Sequence, residues 1–285
     1  MSKVYIITGT SSGFGRALAE AVLDRGDRVV VTARKPEAVA DLVEKYPETA
    51  LAVRLDVTNA SDRQAVVDAA LEKFGHIDVL VNNAGRGSLG AAEEFTLEQL
   101  RDQMEVNFFG AVEMTRAALP AMRAQCSGRI LNLTSIGGQI GYQAFAVYCA
   151  SKFAFEGYSE CLREELKPLG IHVTIVEPGA FRTDFAGDSN MRPVIEIEDY
   201  KPVIEPMRQY LYGNAGQQPG DPHRAALAMI QAVESDDPPL RLILGADAYG
   251  LLEQKRAAEQ KELAAWREIG EDTAFDGAEV RPVGG

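Results

Sequence analysis

Residues 3–8, Lys-Val-Tyr-Ile-Ile-Thr, are a short β-branched run that stops at a glycine. Thr8-Gly9-Thr10-Ser11-Ser12-Gly13-Phe14-Gly15 then leads into an amphipathic segment at 16–25. The run is too short for a helix and reads as a buried strand. A strand, a glycine-rich turn and a helix in that order form the opening unit of a dinucleotide-binding α/β fold. Glycines let the backbone approach a pyrophosphate, and the following helix N-terminus offers unpaired N–H groups at the positive end of its dipole. The spacing Gly9, Gly13, Gly15 is not the G-x-G-x-x-G of the common dehydrogenase fingerprint, so a plain tight turn is the competing reading.

The remaining chain keeps the same alternation. Further strands are expected at 27–33, 51–56, 78–81, 129–135, 171–176 and 240–244. Helical patterns fall at 36–46, 60–74 and 96–126, and from Tyr148 towards Lys167. Alternation of this kind predicts a seven-stranded, mostly parallel sheet with helices on both faces and right-handed crossovers. The fold class is therefore α/β, a doubly wound Rossmann-type arrangement, with residues 1–285 forming one domain. Two stretches fit less well. Residues 184–214 are irregular, apolar and broken by Pro193, Pro202 and Pro206, which suggests a substrate lid. Residues 247–285 read as a charged helix and a polar tail, with Trp266 expected to pin the helix to the body and the tail expected to be mobile.

Composition narrows the partners. Hydrophobic content of 46% suits a full core, while 29 basic against 42 acidic residues give a net charge of −13. That balance argues against non-specific binding to nucleic acid or to an anionic membrane surface. No apolar run approaches the ~18 residues of a membrane span, so no membrane insertion is expected. The start of the chain shows no signal-peptide pattern. Cys126, Cys149 and Cys161 are odd in number and lack a C-x-x-C, as expected of reduced thiols in a cytoplasmic protein. His76, His172 and His223 stand apart in sequence, so no metal site is expected.

The chemistry concentrates around Tyr148-Cys149-Ala150-Ser151-Lys152. On a helix, residues four apart lie one above the other. An ammonium close to a phenol pulls the phenol's pKa down towards the working range, and a hydroxyl such as Ser135 can hydrogen-bond the reacting oxygen. At the end of the second strand Ala33 offers no carboxylate for a ribose 2′-OH, whereas Arg34 and Lys35 supply cations. This favours a 2′-phosphate and hence NADP(H), the alternative being a solvated pair of loop charges. Asp56, followed by Val57, could bond adenine's amine or cap the next helix. Asn82-Asn83-Ala84-Gly85 suits either a turn or a cofactor contact at a strand's C-terminal edge. Asn107, inside a helical pattern between Val106 and Phe108, suggests a buried side chain with a specific partner.

Together, Thr8-Gly9-x-x-x-Gly13-x-Gly15, Asn82-Asn83-Ala84-Gly85, Ser135, Tyr148-x-x-x-Lys152 and Pro178-Gly179 with Thr183 beyond closely resemble the short-chain dehydrogenase/reductase family over roughly residues 3–245. The resemblance implies Tyr148 as acid/base, Lys152 lowering its pKa and holding the nicotinamide ribose, and Ser135 holding the substrate oxygen. It implies Asn107 anchoring a water that links Lys152 to solvent. Gly9, Ser11, Ser12, Gly13, Phe14 and Gly15 would follow the cofactor phosphates and ribose. Asp56 and Val57 would meet the adenine, Asn83, Ala84 and Gly85 the neighbouring ribose, Pro178, Gly179 and Thr183 the nicotinamide end, and Arg34 the 2′-phosphate. The expected activity is hydride transfer between NADP(H) and a small-molecule carbonyl or alcohol, with a medium-sized hydrophobic substrate suggested by the apolar lid. The alternative is a dinucleotide-binding sensor or scaffold without chemistry. The resemblance also implies a homodimer or homotetramer, with Phe153, Phe155 and Tyr158 serving either that interface or the core.

Overall fold

The expected strands form one wholly parallel sheet in the order β3-β2-β1-β4-β5-β6-β7. Its members are β1 (Val4–Ile7), β2 (Arg28–Ala33), β3 (Ala50–Arg54), β4 (Val79–Asn82), β5 (Gly128–Leu133), β6 (Ile171–Pro178) and β7 (Arg241–Leu244). The computed structural model describes residues 2–187 and 190–279. Positions 188–189 of the expected lid and 280–285 of the expected tail lie outside the described residues, as does Met1.

The helices are α1 (Gly13–Asp24), α2 (Ala40–Lys45), α3 (Ala60–Phe74), α4 (Leu97–Met104), α5 (Gly110–Gln125), α6 (Ala146–Leu166), α7 (Lys201–Gly213), α8 (Pro222–Glu234) and α9 (Ala246–Glu271). Successive strand residues point to opposite faces, so each strand feeds two cores. Tyr5 and Ile7 of β1 pack with Leu18 and Val22 of α1 and with Met229 and Ile230 of α8. Ile6 and Leu80 pack with Val66 of α3, Met114 of α5 and Leu162 of α6 on the other side. Burial on both faces explains why the strands read as continuous apolar runs. Each Leu or Ile fully withdrawn from water contributes ~1.5–3 kcal/mol.

Four departures from the sequence reading stand out. The helix expected over 96–126 is divided by a π-helical turn, Glu105–Phe109, between α4 and α5. The irregular stretch contains a helix, α7, because Pro202 sits in the first turn, where a missing N–H costs nothing. Helix α8 had no counterpart in the reading, although Asp221 caps it through the His223 N–H and Pro222 begins it. Finally, Trp266 does not pin α9: it is 63% exposed, and only Ala248 and Leu252 near the start of the helix are buried. Phe155 and Cys149 are buried, whereas Phe153 is exposed with Lys255 of α9 over its ring.

Candidate active site

The strand order reverses between β1 and β4, and the chain leaves both at the same sheet edge. Open α/β sheets bind ligands at such a switch point. Here a cleft of about 1010 Å³ runs from Arg34 at the end of β2 to α7. It is lined by every sequence-predicted site residue except Gly15 and Asn107.

Gly15 acts by being absent. A Cβ there would run into the Gly9 carbonyl oxygen and Asn83 Nδ2. Gly9 itself has φ +72°, and a Cβ on it would lie 3.1 Å from Ala84 Cα. The turns after β1 and β4 are thereby locked together. Asn83 Nδ2 donates to the carbonyls of Thr8 (2.8 Å) and Gly9 (2.9 Å), and Thr8 Oγ1 accepts from the N–H groups of Asn83 and Ala84. The Asn83 side chain is thus occupied within the fold, while its backbone borders the cleft. Beyond the turn, α1 begins with no side-chain cap from Ser12 and no acidic residue in its first turn. Its N–H groups therefore remain available to an anion.

At the far end Arg34 is exposed and has no ion-pair partner among the described residues. It faces Asp56, whose carboxyl is held below the usual range by hydrogen bonds from Thr58, aided by the Arg34 charge. Asp56 does not cap α3, since Asn59 does so by accepting from the Ser61 and Asp62 N–H groups. An uncapped helix end over a glycine turn, with a free guanidinium nearby, fits a phosphate-bearing dinucleotide.

The opposite end holds the titratable groups. Ser135 follows β5 and opens a short turn in which the Gly137 N–H donates to its Oγ at 3.0 Å. Tyr148 and Lys152 lie one turn apart in α6 and are 8% and 6% exposed. Lys152 Nζ donates to the Leu133 carbonyl at 2.9 Å and lies 5.9 Å from the Tyr148 ring centre. Burial drives both towards neutrality. It pushes the Tyr148 phenol far above its usual range, opposed by the nearby Ser135 hydroxyl, and pulls Lys152 down to about 8, opposed by the Glu156 charge. Loss of hydration, rather than the nearby ammonium expected from the Tyr148/Lys152 spacing, is the larger effect on the phenol.

Asn107 is 1% exposed and occupies the π-helical turn, a distortion frequent at functional sites. Its Oδ1 accepts from the Arg86 N–H, and its Nδ2 donates to the Arg86 carbonyl and to Ser151 Oγ, at 2.9, 2.9 and 3.0 Å. It clamps the loop after β4 to α6 from behind the cleft wall.

Several contributors carried no sequence signal. Arg241 of β7 pairs with Glu156, Glu160 and Glu177. Glu156 accepts from Thr134, and Gln139 donates to Glu177, so the cluster ties together the ends of β5 and β6 and helix α6. Burial and the Glu156 charge push the Glu177 carboxyl up to about 7. Asp247 of α9 accepts from the Ala180 N–H at 2.7 Å, fixing the turn that follows Pro178-Gly179. The stretch expected to form a lid is strapped to the segment after β4: buried Glu94 accepts from the N–H groups of Ala91 (2.8 Å) and Ile197 (2.9 Å). Gln99 adds a bond to the Arg192 carbonyl at 2.8 Å. Within the same stretch, Phe185 stacks edge-on to Tyr148, with centroids 5.2 Å apart. Phe145, Met207, Tyr210 and Leu211 complete an apolar chamber. Among the described residues no group of His, Cys, Asp or Glu could hold a metal, and no helix is long and apolar enough to cross a membrane.

A parallel sheet with a glycine turn at its switch point, and a serine, tyrosine and lysine gathered at one end of the same cleft, defines a nucleotide-binding oxidoreductase of the doubly wound type. The short chain dehydrogenase family model matches residues 3–193, and the chain belongs to that family. A short-chain dehydrogenase from Streptomyces avermitilis superposes with a TM-score of 0.89 at 44% identity, over 96% of this chain and 99% of that one. A 3-ketodihydrosphingosine reductase from Bacteroides thetaiotaomicron is 38% identical over 85% of this chain and 88% of its own. Family structures from Burkholderia phymatum in complex with NAD (25% identity, TM-score 0.81, 92% of this chain and 95% of that one) and Burkholderia cenocepacia in complex with NADP (27%, 0.72, 93% and 97%) show the same fold.

Proposed function

We propose that the protein is an NADP(H)-dependent oxidoreductase that interconverts a carbonyl and an alcohol on a medium-sized hydrophobic substrate, with Tyr148 as the acid/base. One observation carries this reading. A single cleft joins Ser135, Tyr148 and Lys152 at one end to Arg34, which has no ion-pair partner among the described residues, at the other. When bound, the nicotinamide supplies or accepts the hydride. The chain's own part is to hold the substrate oxygen and to move one proton. Ser135 hydrogen-bonds that oxygen. Tyr148, neutral because it is buried, donates its hydroxyl proton as negative charge develops there. A phenol that begins protonated suits carbonyl reduction. Lys152, with its pKa near 8, stabilises the phenolate left behind. Asn107 keeps Lys152's helix in register with the loop after β4. Its side-chain amide is committed to Arg86 and Ser151, so any water that links Lys152 to solvent would be held by an Asn107 carbonyl rather than by its N–H groups.

Relatives occur with either dinucleotide, so the cofactor choice rests on Ala33 and Arg34. The hydrophobic substrate class rests on the Phe145, Phe185, Met207 and Leu211 chamber. A ketone reductase among the relatives agrees with it.

Titration with NADPH and with NADH, followed by nicotinamide fluorescence, tests the reading. Arg34→Ala should weaken NADPH binding roughly 10- to 100-fold, the scale of a charge-assisted hydrogen bond, and change NADH binding little. A wild-type preference for NADH would contradict the NADP(H) assignment and move the search to alcohol oxidation. Binding of neither dinucleotide would favour a protein without this chemistry.

A further inference from the structure

Tyr142 lies between the Ser135 turn and α6 and packs against the buried cluster of Ile136, Ala248 and Leu252. A phenylalanine would fill this apolar setting equally well. Tyr142 lines the cleft, yet its hydroxyl is buried and has no hydrogen-bond partner among the described residues. Buried polar groups in folded proteins nearly always have partners, and exceptions call for an explanation. No described residue provides one here.

The surroundings define the missing partner. Cys149, Asp247 and Tyr210 are the ionisable groups facing the phenol, and burial pushes it up to about 12. It is therefore a neutral hydroxyl, able to donate and to accept. The Asp247 carboxylate beside it disfavours an anionic partner. Ile136 adjoins Ser135, Cys149 adjoins Tyr148, and Asp247 holds the turn after Gly179. Tyr142 thus shares the reacting end of the chamber with the groups assigned to the proton transfer.

We propose that Tyr142 determines specificity: its hydroxyl bonds a second, neutral oxygen on the substrate, a hydroxyl or carbonyl close to the reacting carbonyl. Apolar hydroxyketones or diketones are then preferred to plain ketones. This rests on the carbonyl/alcohol reading above.

The test compares a methyl ketone with its α-hydroxy and β-hydroxy counterparts of the same chain length, at saturating NADPH, for wild type and Tyr142→Phe. Binding of each ketone to the dinucleotide complex is followed in parallel by thermal shift. Wild type should favour one hydroxyketone in kcat/KM by about fivefold to tenfold, the scale of one neutral hydrogen bond. Tyr142→Phe should erase that preference while keeping plain-ketone turnover within about twofold, the signature of a lost binding contact. A preference absent from wild type, a preference unchanged in the variant, or an equal fall for all three ketones would overturn the proposal. If wild type turns over none of them, the carbonyl reading itself fails. The thermal-shift comparison then decides the role of Tyr142 by the same criterion.

Discussion

Replacing Tyr148 with phenylalanine is expected to leave a folded, dinucleotide-binding protein whose turnover falls by roughly 10²–10⁴, the usual contribution of a positioned acid/base. The substitution removes one hydroxyl and keeps the ring. That ring's contacts with Phe145 and Phe185, at centroid distances of 6.5 and 5.2 Å, survive. Lys152 keeps its bond to the Leu133 carbonyl. Stability should change little, because the hydroxyl's neighbour is Ser135, which retains its bond from the Gly137 N–H. The check is kcat at saturating NADPH, read beside thermal unfolding and dinucleotide titration of the same variant. A rate near that of wild type would remove Tyr148 from the mechanism.

The second large effect belongs to a residue that never borders the cleft. Gly15→Ala puts a methyl against the Gly9 carbonyl and Asn83 Nδ2, both fixed by hydrogen bonds. Backbone cannot swing aside as a flexible side chain can, so α1 must move off the sheet and take its N-terminal donors out of line. The expected result is a loss of ~1–3 kcal/mol in stability, typical of overpacking, together with loss of dinucleotide binding. Gly250→Ala in α9 is the control: its added Cβ would meet nothing within 4 Å, and helix propensity predicts a gain of up to ~1 kcal/mol. Thermal unfolding and NADPH titration of both variants separate the effects. Unperturbed NADPH binding by Gly15→Ala would show that close packing of the two turns does not matter for the cradle.

What could be read from the sequence was what depends on local chemistry. Strands buried on both faces leave apolar runs, and glycine turns leave glycines. The sheet, its parallel sense and most of the cleft lining were therefore legible. Lys152 four residues after Tyr148 was visible for the same reason, since a helix brings that spacing onto one face. Contacts between distant segments left no such trace. Glu177, Arg241 and Gln139 meet only after β5, β6 and β7 are side by side. Nothing in its sequence neighbourhood marks Glu94 as an anchor for Ile197, more than a hundred residues downstream. Proline misled in one place: Pro202 and Pro206 suggested an irregular lid, but the first-turn position of Pro202 allows α7 to form, and the helix continues through Pro206. The pKa of Tyr148 could not be read from composition, because it is set by burial.

In the proposed reaction this cleft moves a hydride between a dinucleotide and a carbonyl carbon while Tyr148 supplies the proton. The most direct measurement gives the protein a medium-chain apolar ketone and NADPH carrying deuterium at the transferable position of the nicotinamide, with the product analysed by mass spectrometry. The expected product is an alcohol with deuterium on its carbinol carbon, formed by wild type and nearly absent with Tyr148→Phe. Alcohol lacking the label, or label transfer that persists undiminished in Tyr148→Phe, would contradict it.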